Sequence, residues 1–189
     1  MRPMTVAQRM NADEYLRLPE EWFPRGTQLI AGEVVMHDPL PLHQYVLSDV
    51  HTALVIWTRA APGRGRATLA LDVRLDTRNV YLPDVMWYAE GRAPRRDGGR
   101  PSPIPDLAVE VRSPSTWRRD RTVKKPVYEQ RGVPELWLVD TVAERVLLHR
   151  RSSPRAARFD VTLTIERGES LTSPLLPGFA LALDELFAG

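Results

Sequence analysis

The sequence predicts an α/β protein. Residues 106–111 and 136–139 are short, near-continuous apolar runs, as in strands covered on both faces. Leu42, Val46, Val50, Leu54 and Trp57 recur every three to four residues, so 42–60 reads as an amphipathic helix. Strand and helix signals interleave along all 189 residues without an internal repeat, so 1–189 reads as one domain.

The elements follow in order. Asn11 caps a helix over Ala12 to Leu18, with Asp13 and Glu14 in its first turn and Pro19 beyond its end. Thr27 to Ile30 and Glu33 to Met36 are β-prone runs split by Ala31-Gly32, a hairpin signal. Asp38 to Pro41 is a loop, and the 42–60 helix ends before Pro62-Gly63. Thr68 to Asp76 alternates, with Leu69, Leu71, Val73 and Leu75 on one face, and predicts a half-buried strand. Val80 to Tyr88 predicts another, entered through Pro83. Gly91 to Pro105 is a loop rich in Gly, Pro and Arg. Ser115 or Thr116 caps a helix running to about Arg131, with Gly132 at its left-handed end. Pro126 inside that span predicts a kink or boundary. Leu136 to Val139, Arg145 to His149 and Phe159 to Ile165 are later strands, and Leu183 to Phe187 is a short terminal helix.

There are no cysteines, which excludes disulfides, thiolate metal sites and cysteine nucleophiles. A metal must then sit on carboxylates, carbonyls or histidines. No apolar run is long enough to cross a bilayer and Met1 to Glu21 has no signal-like apolar core, so the expectation is a cytoplasmic protein without a membrane partner. With 26 basic against 24 acidic residues there is no global basic field, and nucleic-acid binding must use local clusters such as Arg118, Arg119 and Arg121. Nearly every base is arginine; the only lysines are Lys124 and Lys125. Lysine offers a compact ammonium whose pKa can move, which arginine does not.

Two acids stand out by position. Glu110 lies inside the apolar run 107–111, where a carboxylate is costly unless paired or metal-bound. Asp84 follows Pro83 at the start of another strand, and two such acids can converge on one divalent cation. An internal ion pair is the plainer alternative for Glu110. Asp120, Lys124 and Tyr128 are four apart and share a helix face. His43 and His51, eight apart on the long helix, diverge by about 80° and do not predict a joint metal site. Trp57, Trp87 and Trp137 read as core.

Leu82-Pro83-Asp84-Val85, the run from Pro105 to Thr116, the Asp120/Lys124/Tyr128 spacing and the run Gly132-Val133-Pro134-Glu135-Leu136-Trp137-Leu138-Val139-Asp140 resemble the Uma2-like branch of the PD-(D/E)XK nucleases. The 12–19 helix, the Leu29-to-Val34 hairpin, His43 and Leu176-Pro177-Gly178 match as well. The resemblance implies a restriction-endonuclease-like core, with a mixed central sheet flanked by helices and an N-terminal hairpin and helix. It implies metal-assisted phosphodiester hydrolysis in DNA with Mg²⁺ or Mn²⁺. Asp84, Glu110 and Lys124 would be catalytic; Asp84, Glu110 and the Val111 carbonyl would be metal ligands. Lys124 would orient or help deprotonate the attacking water. Glu33, Arg112, Asp120 and His43 would be auxiliary, and Arg118, Arg119, Arg121 and Lys125 would contact nucleic acid.

The chain departs from the pattern at some positions. Arg112 stands where the superfamily has its strand lysine, and Lys124 on the following helix is the match for that role. Gln28 and Ala31 replace acids near the first hairpin, and Leu136 replaces an aromatic. A catalytically weak or inactive nucleic-acid-binding module is therefore the second expectation, and a scaffold the third. A homodimer is expected from mechanism, since one small cleft cuts one strand.

Overall fold

The computed structural model describes residues 9–19, 26–36, 40–114 and 116–188. The Ser115 cap and the first half of the 38–41 loop lie outside the described residues.

Helix α1 (Ala12–Arg17) starts where the capping pattern placed it. Asn11 accepts from the Glu14 backbone N–H and Glu14 answers the Asn11 N–H, a reciprocal capping box. Strands β1 (Thr27–Ile30) and β2 (Glu33–Met36) form the expected hairpin. Its two turn residues, Ala31 and Gly32, have φ of 52° and 83°, the left-handed geometry of a two-residue hairpin. Asn79 accepts from the Ala31 N–H at 2.8 Å and fixes the turn.

The long helix α2 spans Pro41–Arg59. Its buried stripe is His43, Val46, Val50, Leu54 and Trp57, with Leu42 exposed. The sequence reading had put Leu42 in that stripe. The stripe instead ends one residue later, because the His43 ring has polar partners to face: Asp84 and the backbone carbonyls of Val111 and Arg112.

Two expected strands are divided. Residues 68–76 split into β3 (Arg66–Leu69), which joins the large sheet, and β4 (Val73–Arg74), which joins the small one. Between them the Asp72 carbonyl accepts from Ser102 N–H, and its carboxylate holds Arg100, which turns the chain from one sheet to the other. Residues 80–88 split likewise into β5 (Val80–Tyr81) and β6 (Val85–Tyr88). Pro83 between them has no N–H to give a ladder.

The large sheet has six strands in the order β10-β9-β8-β7-β6-β3, with β7 at Leu107–Val111, β8 at Glu135–Asp140, β9 at Arg145–Arg150 and β10 at Val161–Ile165. All its pairings are antiparallel except β7 with β8. A parallel neighbour needs a crossover. Its helical part is continuous: α3 (Trp117–Arg119), a π-helical turn (Asp120–Lys124) and α4 (Lys125–Gln130). The small sheet runs β2-β1-β5-β4, and a two-stranded piece, β11 (Ser170–Leu171) with β12 (Leu181–Ala182), precedes α5 (Leu183–Leu186).

Side-chain parity divides the core. Val109, Val111, Trp137 and Val139 face α2 and α5, in one cluster with Val46, Val50, Leu54 and Leu186. Ala108, Leu136 and Leu138 face the other way, with Trp117, Tyr128 and Tyr81. Glu110 has the parity of Ala108, so the strand alternation aims its carboxylate at the crossover helix. Trp57, Trp87 and Trp137 are all core, as expected. Gly132 takes φ of 80° at the end of α4. Among the described residues no helix is long and apolar enough to cross a membrane.

His149 on β9 lies against the helical crossover. Burial first, then the nearby Lys125 and Arg121, hold it down to about 4. Its folded value is below the unfolded one of about 6.5, so its contribution is complete above that pH and lost as pH falls toward 4. We expect urea stability to decline across that window and His149→Gln to flatten the decline. An unchanged slope in the variant would show that another group is responsible.

Candidate functional site

The site forms where β7 ends. Glu110 is 3% exposed and both its oxygens are engaged: Lys124 Nζ lies 2.8 Å from Oε2, and the Tyr128 hydroxyl donates to Oε1 at 2.6 Å. Lys124, 1% exposed, also pairs with Asp120 Oδ1 at 3.0 Å. The second Asp120 oxygen accepts from the Thr116 hydroxyl at 2.9 Å, and Thr116 in turn meets Ser113 Oγ at 2.9 Å.

Thr116, Asp120, Lys124 and Tyr128 are all buried. A regular α-helix cannot keep such a series on one face, because each four-residue step drifts about 40°. The π turn solves this. Its wider turn, closed by Lys125 N–H to the Asp120 carbonyl, rotates the chain less per residue. Pro126 sits just after it, at the first turn of α4, where a missing N–H costs least. The expected kink is therefore a π turn, and it is what lines up the polar ladder.

Asp84 reaches the site from the β5–β6 connection. Its backbone N–H donates to the Val109 carbonyl at 3.0 Å, and its Oδ2 accepts from the Val111 N–H at 2.7 Å. Oδ1 faces His43 Nε2 at 3.4 Å. The His43 ring also faces the Val111 and Arg112 carbonyls. Tyr81 closes the floor, its ring centre 5.7 Å from the Lys124 ammonium and 5.4 Å from that of Tyr128.

The electrostatics follow from a count. Three carboxylates, Asp84, Glu110 and Asp120, surround one ammonium. Burial, aided by Asp120 and Asp84, pushes the Glu110 carboxyl up against the pull of Lys124. Burial alone would strip the Lys124 proton, but Asp120 and Glu110 more than offset it, so the ammonium is held well into its charged range. Burial likewise opposes protonation of His43, but Asp84 together with the Arg112 and Val111 backbone outweighs it, so His43 shifts upward.

Other candidates fall elsewhere. Arg112 leaves the pocket for Asp140, at 2.6 Å, and stacks over Trp117, so Lys124 and not Arg112 stands beside Glu110. Glu33 pairs opposite Ile30 at the hairpin end, half-buried, with no hydrogen bond or ion pair to Asp84, Glu110 or Lys124 among the described residues. Gln28 is buried beside the Leu82 N–H. Arg118, Arg119 and Arg121 are exposed on the crossover, and Lys125 is partly exposed beside them. Sequence reasoning missed Thr116 and Tyr81. Thr116 continues the four-residue series backwards from Asp120, a signal that was available; Tyr81 had none.

A family model described as "Putative restriction endonuclease" matches residues 12–184. The chain belongs to the Uma2 family. A crystal structure described as a "putative nuclease belonging to DUF820", from Anabaena variabilis, superposes with a TM-score of 0.75 at 21% identity, covering 95% of this chain and 98% of that one. The fold expectation, a mixed central sheet flanked by helices with an N-terminal hairpin and helix, is thus borne out, and the sheet has six strands. No protein of curated function matches. In this Uma2 chain Asp84, Glu110, Asp120, Lys124 and Tyr128, drawn from the segments that carried the resemblance, lie together at one end of β7.

Removing one member of a buried ion cluster leaves its partners uncompensated. Lys124→Met is expected to cost about 3–5 kcal/mol in urea denaturation. Tyr128→Phe, which strips one donor from a buried carboxylate oxygen, is expected to cost about 1–3 kcal/mol. Losses below 0.5 kcal/mol in both would show that the cluster is hydrated or loosely held.

Proposed function

We propose that this Uma2 chain is a divalent-metal-dependent endonuclease that hydrolyses phosphodiester bonds in DNA. The observation that carries the reading is the meeting of Asp84, Glu110 and Lys124 at the end of one strand, from three separate segments of the chain.

The residues suit a hard divalent cation by chemistry. Their donors are carboxylate and carbonyl oxygens, and the acids outnumber the ammonium, so the pocket has charge for a cation to neutralise. Among the described residues no three Asp, Glu or His side chains form a ready cluster. Mg²⁺ commonly takes only one or two carboxylates and completes its shell with water and substrate phosphate. Asp84 and Glu110, with the Val111 carbonyl, would hold it. When bound, the ion would acidify a water and polarise the scissile phosphate.

The chain's own groups do the rest. Lys124 stays an ammonium between Asp120 and Glu110, so it stabilises developing negative charge and orients the water rather than taking its proton. Asp120 and Thr116 fix the direction of that ammonium, and Tyr128 fixes the Glu110 carboxylate. Arg118, Arg119 and Arg121, with Lys125, offer the phosphate-attracting surface on the outer side of the same helix. A second reading, a binding module that cleaves weakly or not at all, is favoured by one observation: Lys124 and Glu110 are almost fully sealed and already engaged with each other, with Asp120 and with Tyr128.

Incubation of plasmid DNA with the protein and Mg²⁺ or Mn²⁺ separates the readings. The ions are expected to raise the melting temperature and support nicking. Asp84→Ala and Glu110→Ala each abolish the metal-dependent rise. Lys124→Gln lowers cleavage about 10²–10³-fold and keeps the rise, while Lys125→Ala changes little. Equal loss from both lysines points to simple phosphate attraction, and wild-type thermal response in both acid variants removes the metal assignment.

A further inference from the structure

Arginines gather at the end of the large sheet away from the acid–ammonium cluster. Glu110 and Val111 close β7, whereas Asp106 and Leu107 stand at its opening, about 17 Å away at 3.3 Å per residue. Two cavities lie at that opening end. The larger, about 620 Å³, is lined by Arg92, Arg150 and Arg151, with Asp106 and Glu135 as its acids. The smaller, about 310 Å³, is lined by Arg66, Arg95 and Arg96, with Glu90 as its acid. Arg92 borders the first and Gly91 and Ala93 the second, so one loop forms the wall between them.

The acids at this end are already occupied. Asp106 pairs with Arg92, and Asp97 with Arg95. Glu135 is 1% exposed and accepts from Trp137 Nε1 at 2.6 Å and from Ser173 Oγ at 2.9 Å. Glu90 accepts from the Gly65 N–H, and Asp160 from the Ser152 N–H and hydroxyl. Arg151 donates to the carbonyls of Val133, Glu129 and Ala156, which satisfies its N–H groups and leaves its charge uncancelled. Arg150 stands across the ladder from Glu135 without pairing to it. Arg66, Arg96 and Arg150 form no ion pair among the described residues.

Arg150 on β9 and Arg66 on β3 are four ladder steps apart, about 19 Å at 4.8 Å per step. The positive charge is thus a row along the sheet end, which suits a chain of phosphates better than a lone anion. The larger cavity is of ligand-holding size, and Pro134, Pro154 and Pro174 give it flat apolar walls. A base can enter such a recess only when it is unpaired. We propose that this end of the sheet is a second nucleic-acid site that takes a single strand, with phosphates along Arg66, Arg96 and Arg150 and one unpaired base in the cavity beside Glu135. The site is separate from the cleavage cluster and does not rest on the metal-dependent reading.

The test uses the full-length protein in EDTA, where no strand is cut. Fluorescence anisotropy with a labelled oligothymidine of about twelve nucleotides is expected to show binding at least ten-fold tighter than to a duplex of that length. Arg150→Glu combined with Arg96→Glu is expected to weaken it at least ten-fold and to flatten the log–log salt slope by about 1.4, two phosphate contacts at about 0.7 each. Arg150→Lys, which keeps the charge, is expected to stay within about three-fold of wild type. Photocrosslinking of a bromouracil-substituted strand to the wild type, read by mass spectrometry, is expected to place adducts within 150–154 and 173–175, a result that does not depend on how the variants fold. Adducts confined to the crossover, 116–130, or no binding at all in EDTA, overturn the far-end site and leave metal-dependent nicking, measured separately, untouched. A duplex that binds as tightly as the single strand overturns the single-strand assignment. Displacement of the strand by equimolar adenosine monophosphate overturns it in favour of a free nucleotide.

Discussion

A buried ammonium held between two carboxylates is the constraint around which this molecule is organised. Lys124, Glu110 and Asp120 are each at most 3% exposed, and taking such charges out of water costs several kcal/mol per ion before any contact is made. The cost is offset only if every remaining lone pair and proton finds a partner. Tyr128, Thr116 and Ser113 supply these, and Tyr81 presents its ring to the ammonium. The cluster therefore fixes how the crossover helix sits on the sheet. A shift of the helix would strand charge in a low-dielectric interior, a far steeper penalty than an apolar contact sliding by the same distance.

Topology explains why the reactive groups meet at one end of β7. The single parallel pair in the large sheet, β7 with β8, obliges the chain to return across the sheet, and that return carries Asp120, Lys124 and Tyr128 over Glu110. Asp84 comes in antiparallel from the other side of β7 and is pinned to its backbone at Val109 and Val111. His43 arrives from the helix on the opposite face. Both layers of the fold thus contribute where the sheet runs out, and the Asp84 side is where they touch.

Much of this was legible in the sequence, for identifiable reasons. Glu110 announced itself because a carboxylate inside an apolar strand needs an explanation, and the lone pair of lysines in an arginine-rich chain pointed to its partner. The structure separates that pair, Lys124 inside and Lys125 at the surface. Local signals also placed the helix cap at Asn11, the Ala31-Gly32 turn and the Gly132 helix end. What local pattern could not supply was change of sheet. Alternation continues through 68–76 and 80–88 whether the strand stays in one ladder or moves to another, so both were read as single strands. The stripe of α2 was misplaced at its first turn for a related reason: periodicity counts apolar residues and does not see that a histidine has been drawn inward by a carboxylate. Glu33 was carried by resemblance alone, and it makes no hydrogen bond or ion pair to Asp84, Glu110 or Lys124 among the described residues.

The π turn between Asp120 and Lys124 acts as a phase adjuster in a screw. An ordinary helix advances 100° with each residue, so the thread upstream and downstream of this turn would fall out of step by a sizeable fraction of a revolution without it. Twelve residues on a uniform thread turn about 1200°, so straightening that stretch at its present length would swing the Tyr128 hydroxyl about 120° out of line with Thr116 and off its carboxylate, even though no side chain of the cluster had been altered. The winding of the chain between Thr116 and Tyr128 is thus as much a part of the pocket as the identity of its acids and amine.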